Sequence, residues 1–252
     1  MIELALTPDF RWNVNVDDLA AGAQRAGFSA VGIRGEDANT AAAAALTRSG
    51  LRCHEVLALM IGPDEKTNFA QAEQLAIGAS AISATAVVAT FVAPLSDTTE
   101  RIVRRCAAII AEAGAKLAVE FTPFGEVSSI PAALAIADLA GTECAGVLID
   151  TWHFFRGGAV WEDLEAIPLD RITHVQFDDA PEAISDNGTH ETINRRVMPG
   201  DGGFALERFA STLLDRGWDG VVSVEVLNKE LRTLPVDEFA ALAYAHTVPY
   251  WR

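Results

Sequence analysis

Two rhythms of apolar residues alternate along this chain. Short runs of strand length recur at 2–8, 30–35, 52–59, 86–94, 116–121, 145–151, 172–179 and 220–227. Between them, VDDLAAGAQRAGF, TERIVRRCAAIIAEAGAK and FALERFASTLLDRGWDG carry apolar residues at helical spacing. Each of these meets a glycine (Gly27, Gly114 or Gly217) where a helix end takes its left-handed turn. One strand–helix unit takes roughly 30 residues, so eight of them fill a chain of 252. The pattern predicts an α/β fold, a single (β/α)8 TIM barrel forming one domain over 1–252. The rival, an open doubly wound sheet, lacks its signature, because no GxGxxG follows the first strand.

The rhythm breaks once. DDAPEAISDNGTHETINRRVMPGDGGFALERF separates the last two strands, far longer than an ordinary connection. On a barrel this segment emerges at the C-terminal face, where active sites are built. Its Gly200, Gly202 and Gly203 either bring backbone amides to a ligand or phosphate or form a tight turn.

Strand alternation selects the side chains that enter the barrel. In KLAVEF, Ala118 and Glu120 share the less bulky face; in AGVLIDT, Leu148 and Asp150 do. In ITHVQFDD the inward set is His174, Gln176 and Asp178, and in GVVSVEVL it is Ser223 and Glu225. Four successive strands thus bring Glu120, Asp150, Gln176 and Glu225 to one level in the upper barrel. Any one of these acids is satisfied by water at the rim or by a backbone amide. Three carboxylates and an amide together repel one another unless a cation lies between them. Oxygen donors of this kind suit one divalent metal ion, Mn²⁺ or Mg²⁺ first, with Co²⁺ or Zn²⁺ as alternatives.

Charge narrows the partners. The 35 acidic residues against 19 basic ones give a formal charge of −16, which disfavours nucleic acid, since binding there depends on Lys and Arg neutralising phosphates. Cys53, Cys106 and Cys144 stand in apolar runs without CxxC spacing, and read as buried free thiols of a reducing compartment. MIELALTPDFRW has no basic leader segment, and no apolar stretch is long enough to span a bilayer, so a cytoplasmic chain with no membrane partner is expected. The apolar C-terminus TVPYWR offers a contact for a partner, such as a homo-oligomer.

The ordered set Glu120 in LAVEF, Asp150-x-x-His153 in IDTWH, Gln176 in HVQFDD, Arg196 ahead of Pro199-Gly200, and Glu225 in VSVEV resembles the xylose isomerase-like sugar phosphate isomerase/epimerase superfamily. The resemblance implies a metal held by Glu120, Asp150, Gln176 and Glu225, with His153 and Arg196 at the substrate. Many epimerases and ketose isomerases of that superfamily carry His where this chain has Gln176; the Gln resembles the branch that contains 3-dehydroshikimate dehydratases. The implied chemistry is enolisation of a small keto-sugar or cyclic polyol ketone through an enediolate. Glu120 and Glu225 are the candidate catalytic acid and base, with His153 as the alternative base. Arg196 suits a carboxylate, phosphate or polyol, His54 on the third strand is a candidate pocket residue, and Trp152 is a candidate apolar wall. Isomerase or epimerase leads over dehydratase (lyase) of 3-dehydroshikimate or inosose, and over a non-catalytic sugar-binding accessory protein.

Overall fold

A computed structural model describes residues 2–158 and 160–252. Its eight parallel strands close into a barrel in sequence order: β1 (Glu3–Leu6), β2 (Ala30–Arg34), β3 (Arg52–Ile61), β4 (Ala86–Phe91), β5 (Lys116–Glu120), β6 (Ala145–Asp150), β7 (Ile172–Phe177) and β8 (Val221–Val224). Glu3 to Leu6 pair with Val221 to Val224, which seals the cylinder. The helices are α1 (Val16–Ala26), α2 (Thr40–Ser49), α3 (Glu65–Ile82), α4 (Asp97–Glu112), α5 (Ile130–Ala140), α6 (Thr151–Arg156), α7 (Trp161–Ala166), α8 (Gly188–Asn194), α9 (Leu206–Asp215) and α10 (Val236–Trp251). The expected (β/α)8 TIM barrel is the observed one.

Local chemistry starts and stops these elements. Asn15, Asn39, Asp64, Ser96 and Ser129 each accept a first-turn backbone amide of α1, α2, α3, α4 and α5, satisfying donors a helix start leaves free. The bulky faces of the strands pack outward on the helices in one continuous core. A much smaller plug of Ala86, Val88, Ala118 and Leu148 fills part of the barrel interior. Small side chains there leave room above them for polar groups.

One expectation, that all three cysteines are buried, is corrected, and three other stretches gain detail. The long connection before β8 is partly helical, since α8 lies within it. The Pro-Gly-Asp-Gly-Gly turn does not present its amides to a ligand. The buried Asp179 takes them itself, its two carboxylate oxygens accepting from Ala180, Gly200, Gly202 and Phe204. Gly202 is glycine because a Cβ there would sit 2.2 Å from that carboxylate. The C-terminal TVPYW lies at the end of α10, with Thr247 and Trp251 buried and Pro249 exposed. Of the cysteines, Cys53 and Cys106 are buried free thiols, but Cys144 is partly exposed.

Among the described residues, no helix is long and apolar enough to cross a membrane.

Candidate active site and metal centre

Four donors converge where the strands end. Glu120 closes β5, Asp150 closes β6, Gln176 is next to last in β7, and Glu225 directly follows β8. Asp150 stands beside Gln176 in register, and Gln176 beside Ser223. Glu120, His153, Gln176, Arg196 and Glu225 all line one cavity of about 450 Å³ at this end of the barrel. Phe10, Arg34, Glu36, Met60 and Thr192 complete much of its wall.

Asp150 does two jobs at once. One oxygen caps α6 by accepting from the His153 amide at 3.1 Å, and the other accepts from Arg196 Nη1 at 2.7 Å. Asp150 is thus followed directly by a helix, whose first turn fixes His153 beside Asp150. Phe154, on the core side of α6, packs on Trp161 and Phe209 with ring centroids 5.3 and 5.5 Å apart. That anchor stiffens the turn carrying His153, whose Nε2 lies 3.3 Å from Glu120 Oε1.

Arg196 is fully buried and shared. Its Nη1 donates to Asp150 and to Asp178, at 2.7 and 2.5 Å, its Nε and Nη2 bind Thr192, and Trp152 lies under the guanidinium at 5.6 Å. Burial pushes Asp178 up, to about 7, with Arg196 opposing and Asp150 adding to the rise. Burial works the same way on Asp150, but Arg196 and His153 hold its carboxyl below the usual range. Burial disfavours the charged His153, yet Asp150 and Glu120 raise its pKa above the ordinary imidazole value. Glu225 is raised well above the carboxylate range by burial; Arg196, 3.7 Å away, opposes this, while Glu55, Asp150 and Glu120 add to it.

Whether a divalent ion fits is decided by Gln176. Its Nε2 donates to Glu55, whereas its Oε1 is buried with no hydrogen-bond partner. A buried amide oxygen without a hydrogen-bond partner, beside an acid-rich cluster, is a donor of the kind a divalent cation accepts. Glu120, Asp150 and His153 also place donor atoms within 4.8 Å of one another. The donor set fits a metal.

Two expected pocket residues lie elsewhere. His54 is buried deeper in the barrel, 3.1 Å from Glu55, and does not line the cavity. Trp152 packs against the Arg196 guanidinium and is not on the cavity wall. Arg196 reaches the cavity, but as a bridge between acids more than an open clamp. Sequence reasoning overlooked Glu55, Arg34, Glu36 and Thr192. Glu55 was hidden by a register shift in β3, where Val31 pairs with Cys53 but Gly32 with Glu55. A bulge re-aims the side chains around it, so alternation through His54 misplaces its neighbour. The other three lie on or beside segments that carried no motif.

A family model described as xylose isomerase-like TIM barrel matches residues 20–245. The chain belongs to this family. An inosose isomerase of Halalkalibacterium halodurans is 31% identical over 137 residues, covering 54% of this chain and 48% of that protein. A 3-dehydroshikimate dehydratase of Pseudomonas aeruginosa is 29% identical over 104 residues, covering 39% and 16%. The chain spans about half the length of the inosose isomerases it matches. A crystal structure of the IOLI protein with a zinc atom superimposes with a TM-score of 0.86 at 21% identity, covering 98% of this chain and 97% of that one. This xylose isomerase-like barrel therefore shares its fold along almost its whole length.

Proposed function

We propose that this barrel is a divalent-metal-dependent isomerase of a neutral cyclic polyhydroxy ketone, an inosose being the model substrate. The observation that carries it is the unpartnered Oε1 of Gln176 among Glu120, Asp150 and Glu225. The inosose isomerase relatives and the zinc in the IOLI structure support the same reading. When bound, the ion polarises a ketone and its neighbouring hydroxyl, acidifying the C–H between them.

The chain's own residues then move protons. Glu120 is the carboxylate with the readier access to the cavity, and His153 holds it from one side at 3.3 Å. It removes the C–H proton, giving an enediolate. Glu225, which lines the same cavity from the end of β8, is the second carboxylate that relays protons at the other carbon. Returning the proton to the former ketone carbon isomerises the substrate; returning it to the same carbon from the opposite face epimerises it.

Charge selects the substrate class. Arg34 is paired with Asp37 at 2.6 Å and Arg196 with Asp150 and Asp178, so both guanidiniums in the cavity already face carboxylates. A neutral polyol meets no uncompensated cation there and needs none. A carboxylate such as 3-dehydroshikimate would have to displace an internal pair. Elimination of a β-hydroxyl from the same enediolate is the second reading, favoured by the dehydratase relative.

The test is incubation with inosose and Mn²⁺ in D₂O. Deuterium in an isomeric ketone is the expected result. An unsaturated, ultraviolet-absorbing product would transfer the assignment to a dehydratase, and a protein that binds no divalent ion would end the metal-enzyme reading.

A further inference from the structure

Beneath the proposed ion lies a second polar layer that no motif marks. Glu55, wholly buried on β3, reaches across the barrel to β7. Its Oε2 accepts from His174 Nε2 at 2.7 Å and from Gln176 Nε2 at 3.2 Å. Its Oε1 accepts from Thr7 at 2.5 Å and lies 3.1 Å from His54 Nε2. Gly32 makes room for this arrangement, because a Cβ there would fall 2.1 Å from the Thr7 hydroxyl. His54, Glu55 and His174 lie close enough together to suggest an ion site of their own. Thr7, His174 and Gln176 already occupy the two oxygens of Glu55, however, so the carboxylate is engaged as an acceptor by the protein itself.

We infer that Glu55 is a positioning residue that fixes which end of the Gln176 amide faces the proposed ion. An amide side chain has a donor end and an acceptor end of nearly the same shape, and only the oxygen is a metal ligand. A carboxylate accepts and never donates, so Glu55 bonds the nitrogen alone and leaves Oε1 pointing into the site. A hydrogen bond to a charged group is one of the stronger kinds. Thr7 donates to one oxygen of Glu55 and His174 Nε2 lies 2.7 Å from the other, so both oxygens face donor groups and act as acceptors. Metal sites commonly depend on outer groups that orient the ligands, and losing one weakens the ion by roughly 10- to 100-fold. Here that outer group is charged and the ligand it orients is neutral.

The inference rests on the metal reading above, and the experiment separates the two. Mn²⁺ binding is measured by calorimetry on the wild type, Glu55→Gln, Gln176→Ala and the double variant. A glutamine at position 55 can donate to Oε1 of Gln176 and let the amide turn over. The expected result is affinity lower by roughly 10- to 100-fold in Glu55→Gln, with the double variant no weaker than Gln176→Ala alone. Equal loss from Glu55→Gln in both backgrounds, or no loss in either, overturns the positioning role while leaving the ion intact. A wild type that takes up no Mn²⁺ overturns both. Should Glu55→Gln fail to fold, glutamine-labelled wild type decides by NMR, using Zn²⁺ as a diamagnetic ion. The Gln176 Nε2 protons should exchange slowly and its side-chain carbonyl carbon should shift on adding Zn²⁺. Fast exchange or an unmoved carbonyl refutes the inference.

Discussion

Arg196 carries the largest electrostatic burden of any single side chain in the site. It bridges Asp150 and Asp178 and lies within 3.7 Å of Glu225. Removing it leaves buried acids without their cation, which typically costs about 3–5 kcal/mol. Arg196→Ala is therefore expected to lower the unfolding free energy by about that amount at pH 8 in ion-free protein, measured by urea denaturation. The penalty should shrink at pH 5. In the wild type Asp178 titrates near 7, above its unfolded value of 3.8, so it costs stability as pH rises across that interval. Without Arg196 the acids hold their protons more tightly still, and a protonated acid no longer needs the cation. An equal loss at both pH values would show that the guanidinium acts by packing on Trp152 instead. Glu225 supplies the companion prediction. Because its carboxyl is raised in the ion-free chain, an ion that binds it must displace a proton. Affinity should fall as pH is lowered, and the heat of Mn²⁺ binding should change with the ionisation enthalpy of the buffer. A buffer-independent heat would show that Glu225 is already ionised or is not a ligand.

At the scale of elements, what could be read from the pattern and what could not divide on backbone geometry. Alternation in β5 to β8 pointed Glu120, Asp150, Gln176 and Glu225 inward, and all but the buried Asp150 line the cavity, although the β6–β7 pairing also shifts register, between Val147 and Leu148, below these positions. Alternation failed in β3, because the bulge at Cys53–Glu55 is a local choice of hydrogen-bond register that leaves no mark in composition. It also could not show that Asp150 starts a helix, since the cap depends on where the next three residues turn. The turn at Pro199–Phe204 was legible as tight but not as self-satisfied. Asp179 lies about twenty residues away, and its role as internal anion appears only once the chain has folded. Asp179→Asn tests that role. An amide can accept at one end only, and its NH₂ would face backbone donors, so a loss of about 2–4 kcal/mol is expected in urea unfolding. A variant as stable as the wild type would mean that water replaces the carboxylate there.

For the whole molecule, the charge of −16 and the acidic mouth act in the same direction. A strongly negative protein repels anions over a Debye length of about 10 Å at 0.1 M salt, and a cleft of one sign concentrates that field. Glu36, Glu120 and Glu225 all face the cavity, with Arg34 and Arg196 already matched. On the proposed function, that field is expected to favour a neutral substrate over an anionic one during approach to the barrel mouth. For an inosose, kcat/KM should be flat with ionic strength, because a neutral molecule feels no such field. For 3-dehydroshikimate, kcat/KM should be lower at low salt and should rise as salt screens the repulsion, by several-fold between roughly 0.01 and 0.15 M. Initial rates for both compounds across a salt series provide the measurement. A rate for the carboxylate that falls with added salt would reveal an attractive site for anions, and would return Arg34 or Arg196 to the role of substrate clamp.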